Sequence, residues 1–148
     1  MKKTLLCAVA LASLAFGANI DKSLLVGKRW LCSETIESGE FSGWTKFNKD
    51  GTFSLSASLN INGAQKYTMK IETTGDWKLN KDKLFTKDKT FKATSKENPQ
   101  AAKAYETLWK IGSEQNEEED YSIITGLTSS KLTLKDADSD EERVCVAK

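Results

Sequence analysis

Cys32 and Cys145 stand 113 residues apart in this 148-residue chain, one shortly after an apolar leader and the other close to the C-terminus. A bond between them would close nearly the whole fold into one loop. Where the first and last strands of an antiparallel sheet lie side by side, such a bond pins the seam of a barrel. The leader begins with Lys2 and Lys3, runs uncharged from Leu5 to Phe16 and ends in the small residues Gly17 and Ala18. That order reads as a secretory signal peptide over 1–18, cut after Gly17 or Ala18 and succeeded by one domain over 19–148. Cys7 lies inside the apolar run, which argues against lipid attachment, and no stretch reaches the roughly 20 apolar residues of a membrane span. No membrane anchor is expected. Export places the protein in the periplasm or outside the cell, where an even pair of cysteines reads as a disulfide. A loop of this length makes the crosslink worth about 4 to 5 kcal/mol in the chain-entropy account.

The residues between the cysteines alternate. Phe53, Leu55, Ala57, Leu59 and Ile61 fall on one face of 52–61, with Thr52, Ser54, Ser56, Ser58 and Asn60 on the other. This is the period of a half-buried strand. Asn62-Gly63 then predicts a tight turn with positive φ at both residues, leading into a second run with Tyr67, Met69 and Ile71 opposed to Lys66, Thr68, Lys70 and Glu72. Further short strands are expected at 28–37, 41–47, 75–79, 83–94 with a break near Asp88, 121–125, 131–135 and 143–147. No alternation of strands with helices and no internal repeat is present. The fold class is mainly β, an eight- to nine-stranded antiparallel up-and-down barrel with one helix inserted before the last three strands.

That helix is bounded by Asn98 as cap, Pro99 in the first turn and Gly112 as a left-handed stop. Its apolar stripe, Ala101, Ala104, Tyr105, Leu108 and Ile111, is expected to dock on the barrel, across an open end. The segment from Glu114 to Asp120 holds five acids in seven residues and reads as a solvated loop. Without the leader, the 22 basic residues lose Lys2 and Lys3 and the 21 acidic ones lose none, leaving a net charge of about −1. So even a balance supplies no general field for nucleic acid or an anionic membrane. The lysines concentrate in 66–110 and the acids in 111–148.

The residues Gly27-Lys28-Arg29-Trp30 on the first strand, the run from Phe47 to Phe53 and the run from Gly75 to Leu84 together resemble the lipocalin-like (calycin) proteins of bacterial envelopes. Two residues separate Gly27 from Trp30, where the lipocalin pattern has one, so the resemblance is to a lipocalin-like barrel. It implies that Trp30 plugs the closed end and that a basic residue of the last strand, Arg143, lies over it as a cation on an indole face. It also implies a cavity for a small, mostly apolar molecule. The candidate lining is Phe53, Leu55, Leu59, Tyr67, Met69, Ile71, Trp77 and Phe91, with Tyr105 or Trp109 from the helix. A barrel of eight strands is equally able to fill with side chains, and periodicity reports burial without saying what occupies the centre.

The chain has no histidine, which removes the commonest general base and metal ligand and any Ser-His-Asp or Cys-His device. No motif singles out a carboxylate pair, so no enzyme, catalytic residue or cofactor is expected. The run from Asp136 to Glu142 alternates oxygen ligands as calcium loops do. An EF-hand loop starting at Asp136 requires glycine at its sixth position and glutamate at its twelfth, where this chain has Glu141 and Ala147. It reads as an acidic hairpin loop, with no metal site. Two functions from different classes remain: an exported carrier of a small apolar ligand, and a protein-interaction module with a filled core, such as a secreted inhibitor of an envelope-directed enzyme like lysozyme. Acidic loops at 114–120 and 136–142 suit a basic partner in the second case.

Overall fold

Each alternating run becomes a strand paired antiparallel with the next. The computed structural model describes residues 20–115 and 119–148, and the expected signal peptide lies outside the described residues. The strands are β1 (Arg29–Ile36), β2 (Gly39–Phe47), β3 (Thr52–Asn62), β4 (Lys66–Asn80), β5 (Lys83–Thr94), β6 (Asp120–Leu127), β7 (Lys131–Asp136) and β8 (Glu142–Ala147). They form a closed barrel in chain order. A short helix α1 (Lys22–Leu25) precedes β1, and α2 (Pro99–Gln115) stands between β5 and β6. β8 returns to β1 through the pairs Trp30↔Ala147, Leu31↔Val146 and Cys32↔Cys145. The two cysteines are bonded, with Cα atoms 4.3 Å apart, close to the spacing of directly opposed residues in a non-hydrogen-bonded antiparallel pair. The disulfide therefore pins the barrel seam.

One end of the barrel is plugged. Trp30 is fully buried there, its Nε1 donating to the Leu25 carbonyl at 2.9 Å, and Phe47 packs edge-on against Trp77 with ring centroids 5.4 Å apart. Gly27, at φ 83°, makes the turn from α1 into β1 and donates its N–H to the Phe47 carbonyl. Arg143 does not lie over Trp30. It sits two residues beyond Cys145 toward the other end, and Lys28 Nζ occupies the position 5.4 Å from the Trp30 ring centroid.

The hairpins differ from expectation in detail. The connection after Asn62 has three residues, Gly63 to Gln65, and neither Asn62 nor Gly63 takes positive φ. The longer loop spreads the reversal, and the Asn62 N–H is held by the Ser38 carbonyl at 2.8 Å. Positive φ falls instead at Gly51 (88°) and Lys81 (57°), in the turns before β3 and after β4. The runs at 66–72 and 75–79 join into the single strand β4, and the break near Asp88 is a β-bulge that leaves Lys89 unpaired between Thr74↔Thr90 and Gly75↔Asp88.

α2 is rolled by about one residue from the expected stripe. Asn98 caps it as foreseen, its Oδ1 accepting the Ala101 N–H at 3.1 Å, but the helix runs through Gly112 to Gln115. Ala102 is the buried residue, whereas Leu108 is 68% and Ile111 47% exposed. Phe91 decides the roll: Trp109 stacks on it with centroids 4.8 Å apart and planes 12° from parallel, and Tyr105 leans on it at 5.8 Å.

Candidate functional site at the open end

On one side of the barrel the inward-facing positions change from apolar to charged on approaching the open end. β1 presents Trp30, Cys32 and then Glu34; β8 presents Cys145 and then Arg143; β7 presents Leu132, Leu134 and then Asp136; β6 presents Ile124, Ser122 and then Asp120. With the disulfide fixing the register, Glu34 comes opposite Arg143. The guanidinium donates to Glu34 Oε2 at 3.2 Å and reaches Asp136 Oδ1 at 3.5 Å, and Ser122 Oγ donates to that same Asp136 oxygen at 3.2 Å. These side chains keep contact with water, so each ion pair contributes only about 0.2 to 1 kcal/mol. Their main effect is to make this rim hydrophilic.

Two clefts open beside the rim. One of about 380 Å³ lies between β1, β8 and the loop from Asp136 to Glu142, lined by Glu34, Arg143, Ser139 and Glu141. The other, about 700 Å³, lies between the start of β6 and the same loop, lined by Glu119, Asp120, Ser122, Asp136 and Asp138. Acidic segments that lie apart in the sequence thus face one space. Among the described residues no group of three or more carboxylates or cysteines is disposed to hold a metal ion, and no helix is long and apolar enough to cross a membrane.

The opposite side of the rim is closed by α2. β5 pairs with β6 only over Lys83–Thr86, and beyond that point α2 lies against β5. Asp88, on the inward phase of β5, accepts a hydrogen bond from Trp109 Nε1 at 3.3 Å. Burial of its carboxyl against the helix raises its pKa; the Trp109 hydrogen bond lowers it and the nearby Asp120 charge raises it further.

Of the candidate lining residues, Phe53 and Trp77 belong to the apolar cluster at the closed end, and Leu59, Met69 and Ile71 to a second cluster nearer the open end, with Ala93 and Ala102. Leu55 packs against both, and Tyr67 and Phe91 flank the second. Tyr105 and Trp109 meet the barrel through Phe91, and Tyr105 is 42% exposed. Leu59, Met69 and Ile71 present at most 6% of their surface, so protein atoms lie against them. Glu34 and Asp88 were not among the sequence candidates. Glu34 had a signal: it is an acid on the inward phase between Cys32 and Ile36.

The chain matches no protein-family model and no curated protein. What it shares with the calycins is the closed eight-stranded antiparallel barrel itself.

Proposed function

We propose that this chain is an exported binding protein of lipocalin-like architecture that meets a basic protein partner at the open end of its barrel, without catalysing a reaction. The observation that carries this reading is the convergence of 119–120 and 136–139 on one cleft, beside a core whose central side chains are covered by one another. A cleft whose charged lining is acidic attracts a basic partner and speeds encounter. The disulfide suits an oxidising compartment. A secreted inhibitor of an envelope-directed enzyme such as lysozyme is the form this reading takes. Titration calorimetry against lysozyme, at about 0.05 and about 0.3 M salt, tests it with the triple variant Asp136→Asn/Asp138→Asn/Asp140→Asn. Binding that weakens with salt and drops at least tenfold in the variant supports the reading. Equal affinity of wild type and variant sinks it.

A second reading, carriage of a small apolar ligand, draws on the gap above Thr86. Because α2 and not a strand closes that side, a swing of the helix would expose Met69, Ile71 and Ala93. Native mass spectrometry of protein taken from its own secretion route, before and after denaturation, addresses it. An added mass lost on denaturation, and reduced by Met69→Ala, favours carriage; a clean mass and no uptake of fatty acids or hydrophobic dyes rejects it.

A further inference from the structure

The outer face of β8, β1 and β2 repeats one order of charge. From the closed end to the open end, the outward residues are Lys148, Val146, Val144 and Glu142 along β8; Arg29, Leu31, Ser33 and Thr35 along β1, with Glu37 just beyond; and Lys46, Trp44, Ser42 and Glu40 along β2. Each strand is basic at one end, uncharged in the middle and acidic at the other. The middle is partly apolar: Val146, Leu31 and Trp44 lie in one row across the three strands, with the Arg29 guanidinium 4.5 Å from the Trp44 ring centroid. Val144 and Val146, 46% and 50% exposed, are the exposed large apolar side chains of the sheet among the described residues. None of the six terminal charges makes an ion pair within the chain among the described residues, whereas β4 neutralises Lys70 with Glu72 and Lys78 with Glu119.

From this pattern we infer that the β8–β1–β2 face is a self-association surface on which a second copy of the chain docks with its strands reversed. A two-fold axis in the interface, perpendicular to the strands, sets each strand against its own counterpart. Lys148 then meets Glu142 of the second copy and Lys46 meets Glu40, each pair occurring twice, while Arg29 comes opposite Thr35. Docking with strands parallel would oppose like charges, so the charge order selects the reversed arrangement. Aligned sheets pack within about 30° of one another, a displacement that long basic side chains span. Three strands about 4.8 Å apart and seven residues rising about 3.3 Å each give a face of roughly 14 by 23 Å. Such a face, about 320 Å² per copy, is smaller than specific interfaces usually bury, and the dimer is accordingly weak and reversible, with a dissociation constant on the order of 0.1 to 1 mM.

Sedimentation velocity from about 10 μM to about 1 mM, at about 20 mM and about 0.5 M salt, reads the association. The expected result is a sedimentation coefficient that climbs toward that of a dimer at low salt and climbs less at high salt. Glu40→Lys and Lys46→Glu each weaken the dimer roughly fivefold or more, and the double swap restores it to within about twofold, because the two positions face each other across the axis. Lys70→Glu, on the opposite side of the barrel, leaves it unchanged. A protein that stays monomeric to about 1 mM overturns the inference. So does a dimer indifferent to both single swaps, one that the double swap fails to restore, or one that Lys70→Glu weakens as much.

Discussion

Burial sets Asp88 against its own charge. The residue as a whole is exposed, so water screens the effect, but α2 takes water from part of its carboxyl, and that raises its pKa more than the Trp109 hydrogen bond lowers it. The native state therefore holds a proton there more tightly than the unfolded chain does. Its contribution to stability is favourable at low pH and is lost as pH rises from the usual carboxylate range through the raised value. Asp88→Asn keeps an oxygen for Trp109 and removes the charge, so the variant should have a higher urea midpoint than wild type at about pH 7. The gap should close toward about pH 3; a variant less stable at neutral pH would mean that the charge itself holds the helix. Gly75 is constrained by space. A Cβ there would lie 2.1 Å from the Lys87 carbonyl oxygen and 2.8 Å from the Phe53 ring, beside the bulge in β5. Backbone must move to admit it, and Gly75→Ala should cost about 2 to 4 kcal/mol in denaturant titrations. A change under about 1 kcal/mol would show that the bulge absorbs the methyl freely.

At the scale of elements, α2 shows where local pattern stops being informative. Two neighbouring stripes of the helix are both largely apolar and share Tyr105: the expected 101, 104, 105, 108 and 111, and the observed 102, 105 and 109. Period alone cannot choose between them. The choice is made by Phe91 and Asp88, which stack on and accept from Trp109 and which lie outside any helical window around it. Trp109→Ala should accordingly destabilise by about 2 to 3 kcal/mol, losing the stack, the hydrogen bond and the cover over Phe91. Leu108→Gln should change stability by less than about 0.5 kcal/mol, since its side chain is already in water. Thermal melts of the pair check the roll, and the opposite ranking would restore the stripe read from sequence. β3 and β4 were legible for the converse reason. Their alternation persists over Thr52–Asn62 and Lys66–Asn80, so a one-residue slip would expose Phe53, Leu59, Met69 and Trp77 together. Besides the joining of 66–72 and 75–79 into one strand, their turn differs from expectation, because Asn-Gly chemistry specifies what a two-residue loop tolerates and not how many residues the loop will have.

For the molecule as a whole, the seam is the place where closure is thinnest. β1 pairs with β2 along its whole length, Arg29–Ile36, but with β8 only from Trp30 to Cys32. The sequence separation of the cysteines made closure readable, and their pairing carries a consequence that was legible too: once Cys32 opposes Cys145, Glu34 must oppose Arg143 two residues on. What no sequence distance contained is that Asp136 and Ser122 complete this network, because their approach depends on the bulge between Ile124 and Gly126 that sets the β6–β7 register. Removing the crosslink with Cys32→Ser/Cys145→Ser should cost about 4 to 5 kcal/mol, a large share of the roughly 5 to 15 kcal/mol a domain of this kind has. Loss should begin locally, with amides of Leu31 and Val146 exchanging before those of β3 and β4. Since Arg143 anchors the 136–142 loop from a position two residues beyond the seam, opening there also disorganises the acidic cleft. Under conditions where the double variant is still mostly folded, binding to a basic partner should already be weaker than in wild type. Hydrogen exchange that accelerates evenly around the barrel, with partner affinity unchanged, would mean that the seam neither limits stability nor positions the open end.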